Sequence, residues 1–327
     1  MSIAKPTDKE FIEQRHILFN TPESAIFDLV KKAIGKTAET RQKIVSGFDN
    51  EVYNVQAGNS EFIVRLRHFG EVDFTQEAWA MEQCRKVGVP LAEVYLVDQV
   101  KLPEGNLEAM VMSKLSGRPV STVEKDLSPE QLASILYQAG EILERIHSIK
   151  VGGFYRRHKD GSWDFPNWKK VMDSTIRDRS ADCDAILKTG FSDEEFAMMI
   201  ANLKRYRDDF PNQKPALCHG DYLLEHIFVD DQLKISGIID FGMFEGDTPI
   251  HDFAYFAFEE PNNDLFQLQA GYGDKALFDD QFKTKLYLHK QALEMGHLAY
   301  QSLIGNAQGV SFIAAQLKKT LAELRKF

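Results

Sequence analysis

The hydrophobic positions in the first 115 residues predict two helices and five strands. Residues 24–34 have apolar side chains at helical spacing, and a second helix is predicted at 73–86, before Gly88 and Pro90. Short runs rich in Val, Ile, Tyr and Phe, separated by turn residues, indicate strands. These runs are 42–46, 51–56, 61–67, 92–97 and 108–114. Their close spacing favours a five-stranded antiparallel sheet.

The rest of the chain has a mainly helical pattern. Ser128-Pro129 begins a long amphipathic helix, whose apolar residues recur at three- and four-residue steps as far as Ile146. Further helices are predicted at 167–179, 193–208, 283–304 and 311–325, and two short strands at 227–229 and 234–239. We therefore expect an α+β, bilobal protein with a sheet-containing lobe at 1–115, a larger helical lobe at 116–327 and a ligand-binding cleft.

Composition and charge restrict the partners that such a protein can have. The formal net charge of −10 disfavours nucleic acid and anionic membranes and favours a cationic small molecule. No stretch approaches the 18 apolar residues of a membrane span, and the N-terminus has no apolar leader segment. The three cysteines are scattered, which suits a reducing compartment. We expect a cytoplasmic monomer that binds neither nucleic acid nor a membrane.

The densest group of polar residues with catalytic potential lies at 217–229. His219-Gly220-Asp221 stands on a loop that leads through His226 into a short strand, and Asp240 ends the return strand. A hairpin of this kind brings Asp221, His226 and Asp240 to one edge. Two carboxylates and an imidazole there could hold a divalent cation and leave one carboxylate free as a base.

These motifs resemble the aminoglycoside phosphotransferase family, which is related to the protein kinases. The resemblance implies a kinase-like fold in which Asp221 accepts the proton of the substrate hydroxyl and Asp240 binds Mg²⁺ at the nucleotide phosphates. His226 stands where the family usually has Asn, and an imidazole is a poorer Mg²⁺ ligand than an oxygen. His219 and Asp252 would support the catalytic loop.

The resemblance extends to the N-terminal part of the chain, where it implies a nucleotide-binding set. That set is Ser46, Gly47, Arg65, Glu77, Met112, Ser113 and Leu115. Arg65 occupies the strand position of the family's phosphate-anchoring Lys, and a buried cation there needs an anion such as Glu77. From the residues alone, Arg65 could equally be an edge-strand surface charge. The turn at Ser46 could equally be a hairpin turn without a ligand.

Acidic residues after Asp240 could contact a cationic substrate. Asp247, Glu259 and Glu260 are the candidates that we single out. For Asp247 a structural role as a helix N-cap, just before Pro249, competes with substrate binding. For the two glutamates the alternative is a solvated acidic face.

The expected activity is transfer of a phosphoryl group from ATP or GTP, with Mg²⁺, to a hydroxyl of an aminoglycoside antibiotic, which would confer resistance. Within the family the likeness is greatest to the hygromycin B phosphotransferases. Alternatives are a macrolide or other small-molecule kinase of this fold, or a non-catalytic nucleotide-binding pseudokinase. His251-Asp252 could also be the paired metal ligands of an all-helical phosphohydrolase, but the predicted N-terminal strands argue against that fold.

Overall fold

The computed structural model describes residues 16–45, 50–70, 72–103, 105–263 and 265–327. They form two compact units, each made from two separate stretches of the chain. The sheet unit contains the described residues from 16 to 126 together with Leu224–Met243, and the helical unit contains Leu127–Leu223 and Phe244–Phe327. The predicted lobe boundary near residue 115 stays a prediction.

A five-stranded antiparallel sheet is the main element of the sheet unit, as the sequence predicted. Its strands are β1 (Thr40–Ile44), β2 (Asn50–Ala57), β3 (Ser60–Arg67), β4 (Val94–Leu102) and β5 (Gly105–Ser113), in the spatial order β1-β2-β3-β5-β4. Alternate residues of β2 are buried, including Tyr53 and Val55. Helix α1 (Glu23–Ile34) contributes Ile26 and Val30 to the same apolar cluster, which explains its helical spacing of apolar residues.

Two further helices belong to the sheet unit, α2 (Phe74–Lys86) and the single turn α3 (Val120–Val123). Asp73 caps α2, because its carboxylate accepts a hydrogen bond of 2.9 Å from the backbone N–H of Gln76. The unit also holds a three-stranded sheet. Its strands are β6 (Arg118–Pro119), β10 (Ile227–Val229) and β11 (Ile235–Ile238).

The helical unit consists of eight helices and a small four-stranded sheet within the described residues. The helices are α4 (Pro129–His147), α5 (Trp168–Ala181), α6 (Cys183–Leu187), α7 (Asp193–Asp209), α8 (Ile250–Glu259), α9 (Leu265–Gly271), α10 (Phe282–Leu303) and α11 (Ala307–Leu324). The strands are β7 (Phe154–Arg157), β8 (Trp163–Phe165), β9 (Ala216–Cys218) and β12 (Glu245–Asp247), in the order β8-β7-β12-β9. Ser128 and Gln131 form a capping box at the start of α4, where the sequence predicted the helix to begin. Among the described helices, none is both long enough and apolar enough to span a membrane.

A buried carboxylate fixes the segment before α1 to the sheet. Glu51, in β2, accepts hydrogen bonds from the backbone N–H and the hydroxyl of Thr21, at 3.1 Å and 2.6 Å, and from Tyr53 at 2.5 Å. His68 Nε2 lies 3.2 Å and Lys43 Nζ 3.5 Å from its oxygens. Burial alone would raise the pKa of Glu51, but the hydrogen bonds outweigh it and lower the pKa to about 2.

We expect Glu51→Gln to remove a contribution to the unfolding free energy that the wild-type protein itself loses in acid. Because the folded pKa is about 2 and the unfolded one 4.5, the contribution of Glu51 is complete above the unfolded value and is lost as the pH falls through the folded value. At neutral pH the variant should lose on the order of 2–3 kcal/mol of unfolding free energy. Urea titrations between about pH 7 and pH 2 should show this difference shrinking with acid. Glu82→Gln, at an exposed glutamate of α2 in the same unit, is the control, and an equal response in both variants would contradict the assignment.

Candidate functional site

The Asp221 loop is anchored through its backbone by one buried carboxylate. Asp252, in α8, accepts hydrogen bonds of 2.8 Å from the N–H groups of both His219 and Gly220. Its Oδ2 also lies 2.9 Å from Nε2 of His147, at the end of α4. Both oxygens of Asp252 are thus occupied. Asp252 therefore holds the backbone of the loop at His219 and Gly220.

Local contacts set the direction of the chain on either side of Asp221. Gly220 has a φ of +81°, a left-handed conformation that favours glycine. The N–H of Asp221 donates to Nδ1 of His219 at 3.2 Å, so that nitrogen acts as an acceptor. Tyr222 is buried and donates its hydroxyl to the Ala139 carbonyl at 2.9 Å. These contacts leave the Asp221 side chain on a loop whose neighbouring residues are fixed.

Neighbouring groups stabilise the buried negative charge of Asp252. Burial alone would raise the pKa of Asp252, but the hydrogen bond and charge of His147 hold it well below its usual value. His147 and Cys218 lie close enough to Asp252 to form a possible metal-binding group. Because Asp252 already accepts hydrogen bonds from two backbone N–H groups, we assign this group to loop support.

A buried arginine lies between two carboxylates in the sheet unit. Arg65, in β3, forms an ion pair with Glu77 of α2, and its Nη2 lies 3.4 Å from Oδ1 of Asp240. The Arg65 side chain is 10% exposed, Glu77 2% and Asp240 43%. The guanidinium also lies 5.1 Å from the centre of the Phe74 ring. A planar guanidinium has enough N–H donors, in fixed directions, to bind two carboxylates at once. The donors of a lysine ammonium would have a less defined geometry.

The electrostatics favour a charged Arg65. Burial works to lower the pKa of Arg65, but the charges of Glu77 and Asp240 outweigh it and keep the pKa above its usual value. For Glu77, burial raises the pKa, and the adjacent guanidinium opposes that shift. Asp240 is the more exposed of the two carboxylates, so it is the one available to a ligand. The sequence expectation of an edge-strand surface charge at Arg65 is therefore wrong.

His226 lies beside Asp240 in the sheet unit. Its Nε2 is 3.9 Å from Asp240 Oδ2 and 4.0 Å from Oε1 of Glu225. The Ile239 N–H donates to the His226 carbonyl at 3.0 Å and so joins the two ends of the β10–β11 hairpin. Asp240 has a φ of +65°, which is uncommon outside glycine but is tolerated by short polar side chains. The hairpin thus brings His226 and Asp240 together, and the predicted convergence of Asp221 with them stays a prediction.

The carboxylates at the β10–β11 hairpin are suitable ligands for Mg²⁺. Mg²⁺ is commonly bound by one or two carboxylates and completes its shell with waters and substrate phosphates. Asp240 provides a partly exposed carboxylate, and Glu225 provides another that is 53% exposed. The imidazole of His226 is a softer donor than Mg²⁺ prefers. The residues present therefore fit the ion with Asp240 as its principal ligand.

The residues predicted to contact the nucleotide base lie at the end of β5 and directly after it. Met112 is buried in β5, and the Ser113 hydroxyl accepts a hydrogen bond of 2.8 Å from the Glu93 N–H. Leu115 packs on β11 at Gly237, where an added Cβ would lie only 2.5 Å from a Leu115 methyl carbon. Any larger residue at 237 would displace Leu115. Ser46 and Gly47 lie outside the described residues.

A buried histidine–carboxylate cluster occupies the helical unit in addition to the Asp221 loop. It consists of Glu245 and Asp247 of β12, His251 of α8 and His289 of α10, each less than 9% exposed. Asp247 does not cap α8, which begins after Pro249 without a side-chain cap. It accepts instead from the Thr248 N–H at 2.5 Å. Its burial makes Asp247 a poor candidate for contact with a substrate.

The other predicted acidic residues lie at the end of α8. Glu259 is its last residue and Glu260 follows it, and both side chains are partly exposed. Neither His147 nor His289 was predicted from the sequence to have a role, because neither stands near the other polar motifs along the chain. His251 and Asp247 are four residues apart, which places both on one side of the turn into α8.

Comparison with known proteins identifies a family. A model of the phosphotransferase enzyme family (APH) matches residues 40–284. None of the curated protein sequences compared with the chain matches it. Among solved structures, a thermostable mutant of aminoglycoside phosphotransferase APH(4)-Ia is 15% identical with a TM-score of 0.70, over 91% of this chain and 98% of that one. A ternary complex of a second mutant with AMP-PNP and hygromycin B is 14% identical with a TM-score of 0.69, over the same shares of both chains.

Two other solved structures share the fold. A putative fructosamine-3-kinase from Haemophilus somnus 129PT is 14% identical with a TM-score of 0.63, over 92% of this chain and 97% of that one. A macrolide 2'-phosphotransferase type I is 15% identical with a TM-score of 0.54, over 91% and 98%. At these identities the similarity shows the fold, and the narrower likeness to hygromycin B phosphotransferases stays a prediction. With a family model that spans 245 of its 327 residues (40 to 284 inclusive), this chain belongs to the phosphotransferase enzyme family.

Proposed function

We propose that the protein transfers the γ-phosphoryl group of ATP or GTP to a hydroxyl of an aminoglycoside. The main support is the Asp221 loop, in which the backbone N–H groups of His219 and Gly220 donate to Asp252, so that Asp221 follows directly on a fixed stretch of chain. A general base must be held in position to accept a proton. Asp221 would orient the acceptor hydroxyl and take its proton as the oxygen attacks phosphorus.

The nucleotide would be bound by the sheet unit. Arg65, kept in place by Glu77, would contact the phosphates, as the anchoring cation does in related kinases. Asp240 would hold Mg²⁺, with His226 beside it, and the chemistry that the bound ion supplies is neutralisation of phosphate charge. The backbone near Met112 and Ser113 and the side chain of Leu115 would contact the base. Ser46 and Gly47 are proposed to cover the phosphates.

The acceptor proposal depends on charge. An aminoglycoside has several ammonium groups, and a carboxylate-rich surface can replace part of their hydration. Glu259 and Glu260 are partly exposed, and the whole chain has a formal net charge of −10. Asp247 is buried, so it would affect acceptor binding only through the residues that it contacts. A solved complex of APH(4)-Ia with hygromycin B shows that this fold can bind an aminoglycoside.

Nucleotide consumption should be measured against aminoglycosides, macrolides and small neutral alcohols. For a polycationic acceptor, kcat/KM should fall clearly between low and physiological salt, because salt screens charges beyond about 8–10 Å. Glu259→Gln with Glu260→Gln should raise KM for the acceptor and leave KM for the nucleotide nearly unchanged. Asp193→Asn with Glu194→Gln, at an exposed acidic pair of α7, is the control.

Two other results would contradict the proposal of an aminoglycoside kinase. A preferred acceptor whose turnover ignores both salt and the double substitution would favour a macrolide kinase, whose substrate has one amine on a large apolar body. Nucleotide binding without turnover of any acceptor would favour the non-catalytic alternative.

A further inference from the structure

The histidine–carboxylate cluster brings four possible ligand atoms close together. His251 Nδ1 lies 3.0 Å from Glu245 Oε1, 3.1 Å from His289 Nε2 and 3.5 Å from Asp247 Oδ2. The separation of His289 Nε2 from Asp247 Oδ2 is 3.9 Å. The four atoms come from one strand and two helices, so regular backbone structure positions each of them.

Four of the six separations between these atoms are comparable with the edges of a tetrahedral metal site, and the ligand atoms of Asp247, His251 and His289 all lie within 4.8 Å of one another. With Zn–N and Zn–O bonds of about 2.0–2.2 Å, two ligand atoms of a tetrahedral zinc site are about 3.3–3.6 Å apart. The measured separations, from 3.0 to 3.9 Å, lie around that value. Two imidazoles and two carboxylates are also a ligand set that zinc accepts and Mg²⁺ does not favour.

A single hydrogen on His251 Nδ1 cannot serve all of its neighbours in the cluster. His251 Nδ1 faces three groups with lone pairs, yet a ring nitrogen has at most one hydrogen to donate. If His289 Nε2 were also protonated and donated to Asp247, two N–H groups would face each other across 3.1 Å. A cation at the centre would satisfy all four atoms at once, and two carboxylates would balance a charge of +2.

Contacts outside the cluster orient two of its members. The Tyr206 hydroxyl lies 3.3 Å from His289 Nδ1, so a hydrogen on Nδ1 leaves the Nε2 lone pair directed at the cluster. The Thr248 N–H occupies Oδ1 of Asp247, which leaves Oδ2 for the cluster. Partners of this kind are typical of metal-ligating histidines and carboxylates.

We propose that Glu245, Asp247, His251 and His289 bind one zinc ion that joins β12, α8 and α10. Four protein ligands, all buried, leave no open coordination position, so the site is structural. The proposal does not depend on the acceptor or on the catalytic residues. The competing arrangement is an ion-pair network in which a protonated His251 lies between two carboxylates.

Cobalt is the probe for this geometry, because tetrahedral Co²⁺ absorbs visible light far more strongly than octahedral Co²⁺. The full-length protein, treated with chelator, should develop this absorption on titration with Co²⁺ and lose it on addition of Zn²⁺. Asp247→Asn and His289→Gln should abolish the absorption. His297→Gln, which removes another histidine from α10, and His226→Asn should keep it.

Thermal unfolding gives a second measurement that needs no variant. Zinc that binds only the folded protein should raise Tm progressively with concentration, and metal analysis should find one tightly held zinc per chain. Wild-type protein that shows neither tetrahedral cobalt absorption nor a zinc-dependent Tm would overturn the proposal, and so would full absorption in folded His289→Gln.

Discussion

Asp221→Asn is expected to lower kcat by about 10²–10⁴-fold while the protein stays folded and binds its nucleotide normally. An amide cannot accept the hydroxyl proton, although it has nearly the size of the carboxylate. The fold should tolerate the change, because the loop is held through the backbone N–H groups of His219 and Gly220. The loss should therefore fall on the chemical step.

Steady-state kinetics and nucleotide titration of the same preparation would test this. The control is Asp231→Asn, which removes a carboxylate from the exposed β10–β11 turn. Wild-type turnover in Asp221→Asn would exclude Asp221 as the base. A loss of nucleotide affinity equal to the loss of kcat would show that the substitution disturbs more than proton transfer.

Asp240→Asn is expected to remove the effect of Mg²⁺ on nucleotide binding, with an affinity at least about 10-fold lower in the presence of the ion. Asparagine suits this position better than alanine, because Asp240 has a positive φ that Asn adopts more readily. The substitution also takes one carboxylate from Arg65, but the Glu77 ion pair remains. Arg65 should thus stay in place while the metal site is lost.

Nucleotide titrations with and without Mg²⁺ would measure the effect. His226→Asn supplies an amide oxygen, a donor that suits Mg²⁺ better than an imidazole, and should keep or improve Mg²⁺-dependent activity. Equal stimulation by Mg²⁺ in wild type and Asp240→Asn would contradict the assignment of Asp240. Inactivity of His226→Asn with every divalent ion would contradict the role proposed for His226.

The sequence predicts local features of this protein better than distant pairings. The five strands of the sheet and the capped helix α4 follow from short-range patterns, and the structure contains both. Strands β6, β9 and β12 are two or three residues long, too short to show a periodic pattern. They form because neighbouring strands bind them, which no local pattern reveals.

The same limit applies to the polar sites. Asp221 and Asp240 belong to dense local motifs, whereas His251 and His289 are separated by 38 residues and meet only after α8 and α10 pack. The sequence around Asp247 indicated the turn into α8, but it did not indicate which residues contact the Asp247 side chain. The pairing of Arg65 with Glu77 was predicted because a buried cation on an apolar strand needs a nearby anion.

The division of the sheet unit between two stretches of chain has a consequence during synthesis. Leu115 packs on Gly237, and β6 pairs with β10, so these contacts cannot form until more than a hundred further residues have left the ribosome. The sheet unit stays incomplete until Leu224–Met243 has been made, while the intervening residues begin to fold. A fragment that ends at Asp126 would therefore expose the surface that β10 and β11 cover, and aggregation of that fragment would be the natural result.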